Sequence, residues 1–224
     1  MSEAAEQTAR TPARLKITEI FYSLQGEARN VGLPTVFVRL TGCPLRCCYC
    51  DTAYAFSGGE WMDIASIVEE IKKYKTMHVT VTGGEPLAQK NCIDLLKQLC
   101  DLGYDVSLET SGAILVDNVD KRVVKILDIK TPASEEESKN KFENFEFLNA
   151  EDQVKFVICD ENDYLWSKQV MAQNQLDDKC EVLFSPCHGE LEAASLADWV
   201  LRDQLNVRFQ FQLHKHLWGD KPGV

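Results

Sequence analysis

The sequence predicts an α/β fold, specifically an incomplete (splayed) βα barrel with about six core parallel strands. Apolar, β-branched runs alternate along the chain with segments of helical period, which is the pattern of parallel βα units. Polar or glycine-rich residues follow each predicted strand, at the rim where such folds bind ligands. The chain has 224 residues, whereas a complete eightfold barrel takes about 250.

The predicted elements follow one another from residue 17. A short strand is predicted at 17–22, and a second, more apolar and β-branched strand at 34–40. Apolar residues at i, i+3, i+4 and i+7 predict the first helix, at 64–71. The later strands are predicted at 78–81, 104–108, 123–129, 153–159, 181–184 and 206–213. The later helices are predicted at 95–100, 163–176 and 191–205.

The composition favours a protein that acts on a small molecule. The formal net charge is −11, from 24 basic and 35 acidic residues. Such a charge opposes binding along a phosphate backbone, so no nucleic-acid partner is expected. No stretch approaches the roughly 18 apolar residues of a membrane helix, and the polar, acidic first residues do not resemble a signal peptide. No membrane association is therefore expected.

The chain is predicted to form one domain. Residues 1–14 are polar and aperiodic, so we expect a mobile tail there. Residues 15–224 have the length and the 45% hydrophobic content of a single domain. Nine cysteines without a secreted spacing pattern favour the reducing cytoplasm. We expect four of these cysteines to be buried small hydrophobic residues: Cys92, Cys100, Cys159 and Cys180.

A cysteine-rich loop directly follows the second predicted strand. Cys43, Cys47 and Cys50 are spaced C-x3-C-x2-C, and Cys48 lies within that spacing. Thiolates grouped in this way hold iron–sulfur clusters or zinc. A structural zinc site and an ordinary cluster both take four protein ligands, and no downstream pair completes the set. Three thiolates on a four-iron cluster would leave one iron for a ligand that is not protein. Cys48 is expected to face away and pack.

A second candidate site is the segment Gly83-Gly84-Glu85-Pro86, at the end of the predicted strand 78–81. It lacks the lysine of a phosphate-binding loop. Because glycine has no Cβ, a ligand can approach such a backbone closely. A plain turn between a strand and a helix is the alternative.

The cysteine spacing and Tyr49 resemble the signature of the radical S-adenosylmethionine (SAM) superfamily, and the Gly-Gly-Glu-Pro segment resembles its SAM-binding motif. Further segments narrow the match: Leu24-Gln25-Gly26-Glu27, Arg39, Asp51-Thr52 and Glu109-Thr110-Ser111-Gly112. With them the chain resembles the 7-carboxy-7-deazaguanine synthases, radical SAM lyases of the queuosine pathway. The resemblance extends from about residue 17 to about residue 215.

The resemblance implies a radical SAM barrel, a reaction and a set of cofactors. The implied reaction converts 6-carboxy-5,6,7,8-tetrahydropterin to 7-carboxy-7-deazaguanine with loss of ammonia. A 4Fe-4S cluster on Cys43, Cys47 and Cys50 would cleave SAM to a deoxyadenosyl radical, and SAM would be regenerated after the ring contracts. Mg²⁺ would assist.

The resemblance also assigns residues to ligands. Arg39 would clamp the substrate carboxylate, because a guanidinium offers a bidentate geometry that lysine lacks. Thr52 would contact Mg²⁺ through its hydroxyl, with a helix N-cap as the alternative. The implied substrate contacts are Leu24, Gln25, Gly26, Arg39, Thr82 and Pro222. The implied SAM contacts are Tyr49, Cys50, Asp51, Gly84, Glu85, Ser111, Asp128, Ile129, Lys130, Ser185, Pro186, Cys187 and His188.

Two of these segments depart from the family pattern. Asp128-Ile129-Lys130 stands where the family often has Ser-Pro-Lys, and Ser185-Pro186-Cys187-His188 stands in place of a contact that contains Gln-Pro. His214 and His216 are predicted to alternate at the end of the last strand, where packing or a substrate contact is expected.

Two other functions remain open from the residues alone. A glycyl-radical-enzyme activase shares the small size and the cysteine spacing, but it needs a partner protein and no pterin pocket. A non-catalytic zinc-binding module is the second alternative. For the lyase, the resemblance implies a homodimer and an electron donor such as flavodoxin or ferredoxin.

Overall fold

The structure, a computed structural model, describes residues 12–219, 221 and 223. The strands of the described residues are β1 (Arg14–Leu24), β2 (Pro34–Leu40), β3 (Glu60–Asp63), β4 (His78–Gly83), β5 (Asp105–Thr110), β6 (Val124–Ile129), β7 (Gln153–Ile158), β8 (Glu181–Pro186) and β9 (Arg208–Phe209). The helices are α1 (Ile64–Ile71), α2 (Cys92–Asp101), α3 (Glu161–Asn174), α4 (Leu176–Lys179), α5 (Ala193–Arg202) and α6 (Leu213–Trp218).

These strands form one sheet in the order β3-β1-β2-β4-β5-β6-β7-β8-β9 within the described residues. Strands β2 and β4 to β9 pair in parallel, and β1 pairs antiparallel with both β2 and β3. Strands β2, β4, β5, β6, β7 and β8 are the long parallel strands of this part of the chain. The predicted splayed α/β barrel with about six core parallel strands is therefore confirmed.

The core lies between the sheet and its helices. In α1, Ile64, Ile67, Val68 and Ile71 are buried, as their helical spacing predicted. Asp63 caps the start of this helix, because its carboxylate accepts a hydrogen bond from the amide of Ser66 at 2.7 Å. No helix among the described residues is long and apolar enough to cross a membrane.

Two parts of the sheet differ from the prediction. Strand β3 was not predicted, because it is a short, partly exposed edge strand without apolar alternation. The predicted strand at 206–213 is wrong beyond Phe209. There the chain leaves the sheet, and the side chain of Gln210 accepts the amide hydrogen of Ala28 at 2.8 Å.

The start of the sheet also differs slightly from the predicted domain boundary. Arg14, the last residue of the predicted tail, begins β1 and pairs with Asp63. The sheet thus begins one residue before the predicted domain. Residues 1–11 of that tail lie outside the described residues.

A buried ion pair joins β6 to the turn before β7. Nζ of Lys125 lies 2.9 Å from Oδ2 of Asp152, with the two side chains 3% and 0% exposed. Replacing Asp152 with Ala leaves a buried ammonium without its counter-charge, which costs about 3–5 kcal/mol. Chemical denaturation of the Asp152→Ala variant should show this loss in the free energy of unfolding.

The matched control is Glu69→Ala, which removes an exposed ion pair to Lys72. This change should cost less than about 1 kcal/mol, because water screens the pair. Equal losses in the two variants would contradict a structural role for the buried pair.

Candidate active site

A cavity of about 520 Å³ lies inside the barrel. It extends from the loops at the carboxyl ends of the parallel strands down to the loop that follows β1. That loop crosses toward the amino end of β7, where the amide of Arg29 donates to the side chain of Gln153 at 3.0 Å. Full βα barrels fill this interior with packed side chains. Here it holds polar and charged groups instead.

The cavity brings together most of the residues predicted from the sequence. Those that line it are Leu24, Gln25, Gly26, Arg39, Cys43, Cys47, Tyr49, Cys50, Asp51, Thr52, Thr82, Gly84, Ser111, Asp128, Lys130, Cys187 and His188. Four predicted SAM contacts do not line it: Glu85, Ile129, Ser185 and Pro186. Pro222 lies outside the described residues.

The cysteine loop turns three thiols toward the cavity and one away. Cys43, Cys47 and Cys50 line the wall, and the amide of Cys50 donates to the carbonyl of Cys47 at 3.2 Å in a tight turn. Cys48 is exposed, and its thiol donates to the carbonyl of Ala133 at 2.9 Å. The loop therefore presents the thiols of the C-x3-C-x2-C spacing on one side.

The chemistry of this donor set fits a cluster held by three cysteines. Burial raises the pKa of Cys43, and it raises the pKa of Cys47 to about 11 against the opposing charge of Lys130. Half-buried thiols of this kind lose their protons when a metal binds. No three His, Cys, Asp or Glu side chains in the described part of the chain are placed to share a single metal ion.

Gly84 allows the cysteine loop to reach the end of β4. A Cβ on Gly84 would lie 2.4 Å from the carbonyl oxygen of Gly42 and 2.5 Å from Cβ of Cys43. The amide of Glu85 donates to the same carbonyl at 2.9 Å. The sequence suggested that a ligand approaches this glycine, and Gly84 does line the cavity. The close contact, however, is with the protein's own cysteine loop.

Glu85 acts behind the cavity wall. Its carboxylate is fully buried and accepts hydrogen bonds from the amide of Ser111 at 2.8 Å and from the hydroxyl of Thr110 at 2.8 Å. It also accepts from the amide of Leu87 at 3.0 Å. The side chain predicted to contact SAM therefore holds Ser111, which does line the cavity.

A chain of partly buried charges crosses the interior. Nζ of Lys155 lies 2.6 Å from a carboxylate oxygen of Glu27 and 3.0 Å from one of Asp128. Nζ of Lys130 lies 2.9 Å from Asp128. Although burial opposes ionisation, Lys130 and Lys155 lower the pKa of Asp128 to about 2. The sequence reasoning missed Lys155. A charged residue within an otherwise apolar strand is the signal that singled out Arg39, and it would have singled out Lys155 as well.

Glu109 joins two of the predicted substrate contacts. It accepts hydrogen bonds from Nε2 of Gln25 at 3.3 Å and from the hydroxyl of Thr82 at 2.9 Å. Burial raises its pKa, with Lys155 opposing that shift. Glu109 appeared in the sequence only as part of a motif, without a role of its own.

Arg39 points into the cavity from β2 and is oriented by its neighbours. Its Nε donates to Glu19 at 2.7 Å, and the hydroxyl of Tyr54 donates to the same oxygen at 2.7 Å. Its guanidinium carbon lies 5.5 Å from the centre of the Phe21 ring. Because Nε of Arg39 already donates to Glu19, a bidentate contact with a ligand would use the two terminal nitrogens of the guanidinium.

Thr52 stands at the N-cap of a 3₁₀ turn at Ala53–Phe56 without capping it through its side chain. Its hydroxyl instead donates to Oδ1 of Asp51 at 3.0 Å. Both residues line the cavity. The side chain of Thr52 therefore does not cap a helix, which was the alternative to contact with Mg²⁺.

The C-terminal segment contacts both ends of the cavity. Helix α6 begins with the amide of Leu213 donating to the carbonyl of Gly26 at 3.0 Å, and a Cβ on Gly26 would meet Nδ1 of His214 at 2.2 Å. Nε2 of Gln212 donates to Asp51 at 3.4 Å. Gln212, His214 and Lys215 line the cavity. The predicted strand placement of His214 and His216 is wrong, because both lie on α6.

Comparisons with known proteins agree with this architecture. Residues 37–129 match the radical SAM superfamily. The chain is 46% identical over 218 residues to a 7-carboxy-7-deazaguanine synthase of Chlorobaculum tepidum, covering 96% of this chain and 99% of the relative. It is 42% identical over 219 residues to one of Koribacter versatilis, covering 91% and 97%.

Solved structures show the same fold. The crystal structure of QueE from Escherichia coli matches with a TM-score of 0.75 at 22% identity, covering 90% of this chain and 95% of the other. The structure of Streptococcus suis SuiB bound to S-adenosylmethionine matches with a TM-score of 0.55 at 13% identity, covering 76% and 45%.

The names of the relatives support a lyase over a glycyl-radical-enzyme activase or a zinc-binding module. The radical SAM match implies both a 4Fe-4S cluster and SAM, and the three cavity-facing thiols suit such a cluster. The chain belongs to the 7-carboxy-7-deazaguanine synthases, the radical SAM lyases of the queuosine pathway.

Proposed function

We propose that the cavity inside the barrel is where this chain converts 6-carboxy-5,6,7,8-tetrahydropterin to 7-carboxy-7-deazaguanine with loss of ammonia. One observation carries the proposal. A wall of three thiols and a chain of partly buried charges from Glu27 to Lys130 face the same 520 Å³ space. Charged groups with shifted pKa values and soft thiols that converge in one cavity mark a functional site.

We assign the rim end of the cavity to SAM and the deeper end to the pterin. At the rim, Gly84, Ser111 and Lys130 adjoin the cysteine loop that would hold the cluster. Once bound, the cluster and SAM supply the radical chemistry that starts the reaction. Deeper in the barrel, Gln25, Thr82 and Glu109 form one hydrogen-bonded group that suits a polar heterocycle.

The closing of the interior by α6 supports this assignment. His214 packs on Gly26, and burial lowers its pKa, which favours the neutral imidazole near pH 7. The loop after β1 and the start of α6 would together exclude water from the pterin.

Arg39 is proposed to bind the substrate carboxylate. Arg39→Lys should keep the positive charge but lose the bidentate contact, which is worth about 1.5–3 kcal/mol for a hydrogen bond to a charged group. We expect kcat/KM for the pterin to fall roughly 10- to 100-fold. Steady-state kinetics under anaerobic conditions measure this ratio.

The matched control for Arg39 is Arg122→Lys, which changes an exposed arginine paired with Asp101 and Asp120. It should leave kcat/KM unchanged. If Arg39→Lys also left this ratio unchanged, the carboxylate would have to bind elsewhere.

Thr52 is proposed as a ligand of Mg²⁺, since it and Asp51 present oxygen atoms to the cavity and Mg²⁺ prefers oxygen. Thr52→Ala should weaken the dependence of activity on Mg²⁺, while SAM cleavage continues. Thr52→Ser, which keeps the hydroxyl, should restore the dependence. A magnesium titration that is the same in Thr52→Ala and the unaltered enzyme would rule out this role.

The decisive test of the function is an anaerobic assay with the tetrahydropterin, SAM, Mg²⁺ and a chemical reductant. Mass spectrometry should detect 7-carboxy-7-deazaguanine and one ammonia per turnover. SAM cleavage without the deazaguanine would overturn the substrate assignment. Zinc without iron or sulfide in anaerobically purified protein would overturn the cluster assignment.

Three further assignments are proposed with this function. The cluster needs an electron from outside the chain, and a small carrier such as flavodoxin or ferredoxin would supply it. Exposed apolar side chains at the open edge, such as Trp61 of β3 at 55% exposure, favour a homodimer. Sedimentation of the holoenzyme tests the dimer. We also place the enzyme in the cytoplasm and treat residues 15–224 as one domain.

A further inference from the structure

Two cysteines outside the cluster loop lie opposite each other at the ends of neighbouring strands. Strands β7 and β8 are parallel, with Val157 opposite Ser185 and Ile158 opposite Pro186. The next residues on the two strands are Cys159 and Cys187. The amide of Cys187 donates to the carbonyl of Ile158 at 2.8 Å, so the two chains are still adjacent there.

Cys187 lines the cavity, and the alternation of side chains along β7 assigns Cys159 to the same side of the sheet. Alternate residues of a strand share a face, and Lys155 and Val157 of β7 line the cavity. Cys159 continues that series, and Cys187 itself lines the cavity. Cys159 is not the buried packing residue that its apolar context predicted, because it is only half-buried at the strand end.

The separation of the strands suits a covalent bond. Neighbouring strands lie about 4.8 Å apart, and disulfides join residues whose Cα atoms are about 4.4–6.8 Å apart. Both cysteines are free, and each thiol is close enough to shift the pKa of the other. No large backbone movement is needed to join them.

We propose that Cys159 and Cys187 form a reversible redox site that reacts with hydrogen peroxide and closes to a disulfide. This inference goes beyond the proposed lyase function and does not depend on it. The disulfide would tie the ends of β7 and β8 together in the cavity wall, separately from any oxidation of the cluster.

The reaction balances with peroxide as the two-electron oxidant. The sulfur of Cys187 attacks one oxygen of peroxide, the O–O bond breaks, and hydroxide departs with the proton of the thiol as the first water. Cys187 is then a sulfenic acid. The thiol of Cys159 then attacks that sulfur, forms the S–S bond and releases the sulfenic oxygen as water. Two thiols and one peroxide become one disulfide and two water molecules.

The surroundings favour Cys187 as the thiol that reacts with peroxide first. The hydrogen bond from Cys159 lowers the pKa of Cys187, against its burial, and raises that of Cys159. The other titratable groups near the pair are Cys48, Asp51, Asp163 and Glu190. Asp163 opposes ionisation of both thiols, Cys48 opposes that of Cys159, and Asp51 and Glu190 oppose that of Cys187. The interaction between the two thiols is therefore what favours the thiolate on Cys187. Peroxide is small enough to reach Cys187 through the cavity.

The test uses the full-length holoenzyme, treated with increasing hydrogen peroxide, alkylated and digested with trypsin without reduction. Peptide 156–168 carries Cys159, and peptide 180–202 carries Cys180 and Cys187. We expect a linked pair of these peptides, joined through Cys159 and Cys187, that dithiothreitol separates. The readout is a peptide mass and does not require catalysis, so it is independent of the lyase assay.

Two variants sharpen the result. Cys180→Ser, at the other end of β8, should keep the linked pair. Cys159→Ser should lose it and leave a sulfenic acid on Cys187 that dimedone labels. Recovery of Cys159 and Cys187 as alkylated thiols, or a disulfide from Cys187 to Cys48 or to a cluster cysteine, would overturn the proposal.

Discussion

Replacing Cys43, Cys47 or Cys50 with alanine is expected to abolish assembly of the 4Fe-4S cluster and, with it, SAM cleavage. Each thiol faces the cavity from one loop, and a cluster with three protein ligands cannot lose one and remain in place. Iron and sulfide content, the visible absorption of the cluster and electron paramagnetic resonance of the reduced protein measure the loss.

The internal control is Cys48→Ala. Its thiol is exposed and bonded to the carbonyl of Ala133, so this variant should keep a full complement of iron and sulfide. Loss of the cluster in Cys48→Ala, or its retention in any of the other three variants, would show that the ligand set is wrong.

Replacing Gly84 with alanine is expected to displace the cysteine loop and to impair cluster binding without removing a ligand. The new Cβ would lie 2.4 Å from the carbonyl oxygen of Gly42 and 2.5 Å from Cβ of Cys43. Neither neighbour is the end of a flexible side chain, so the loop itself must move. Overpacking of this kind costs about 1–3 kcal/mol in the free energy of unfolding. Iron content per chain and chemical denaturation test the two effects.

Gly103→Ala separates crowding from backbone strain. Gly103 has a φ of +87° and open space around its Cβ position, so alanine there is strained but meets nothing. It should cost about 1 kcal/mol or more and keep the full iron content. Full iron in Gly84→Ala as well would mean that the loop does not depend on this close approach.

The sequence predicted the structure well wherever a feature depends on residues that are close together in the chain. Helical spacing predicted α1, and apolar β-branched runs predicted β2 and β7, because side-chain period reflects burial along one element. The C-x3-C-x2-C spacing likewise limited the chemistry, since three thiols within one short loop are near each other in any fold of the chain.

The structure differs from the sequence-based prediction where segments that are far apart in the chain meet. Lys155 could not be joined to Glu27 and Asp128 from the sequence, because the three residues come from three separate elements. The last predicted strand ends at Phe209, and α6 begins at Leu213. The side chain of Gln210 and the amide of Leu213 bond to the loop after β1, which draws the chain away from the sheet. Edge strand β3 was missed because four partly exposed residues carry no apolar alternation, and only pairing with the distant strand β1 makes them a strand.

Residue identity therefore indicated the radical SAM family, the alternating α/β order and the three cysteines of the C-x3-C-x2-C spacing. The packing of the chain established what those residues do to one another. Gly84 admits the cysteine loop, Glu85 holds Ser111 from behind the wall, and the pair of Cys159 and Cys187 exists only because β7 and β8 are neighbours. Spacing along the chain determines which groups are available, whereas contacts across the sheet determine which of them meet.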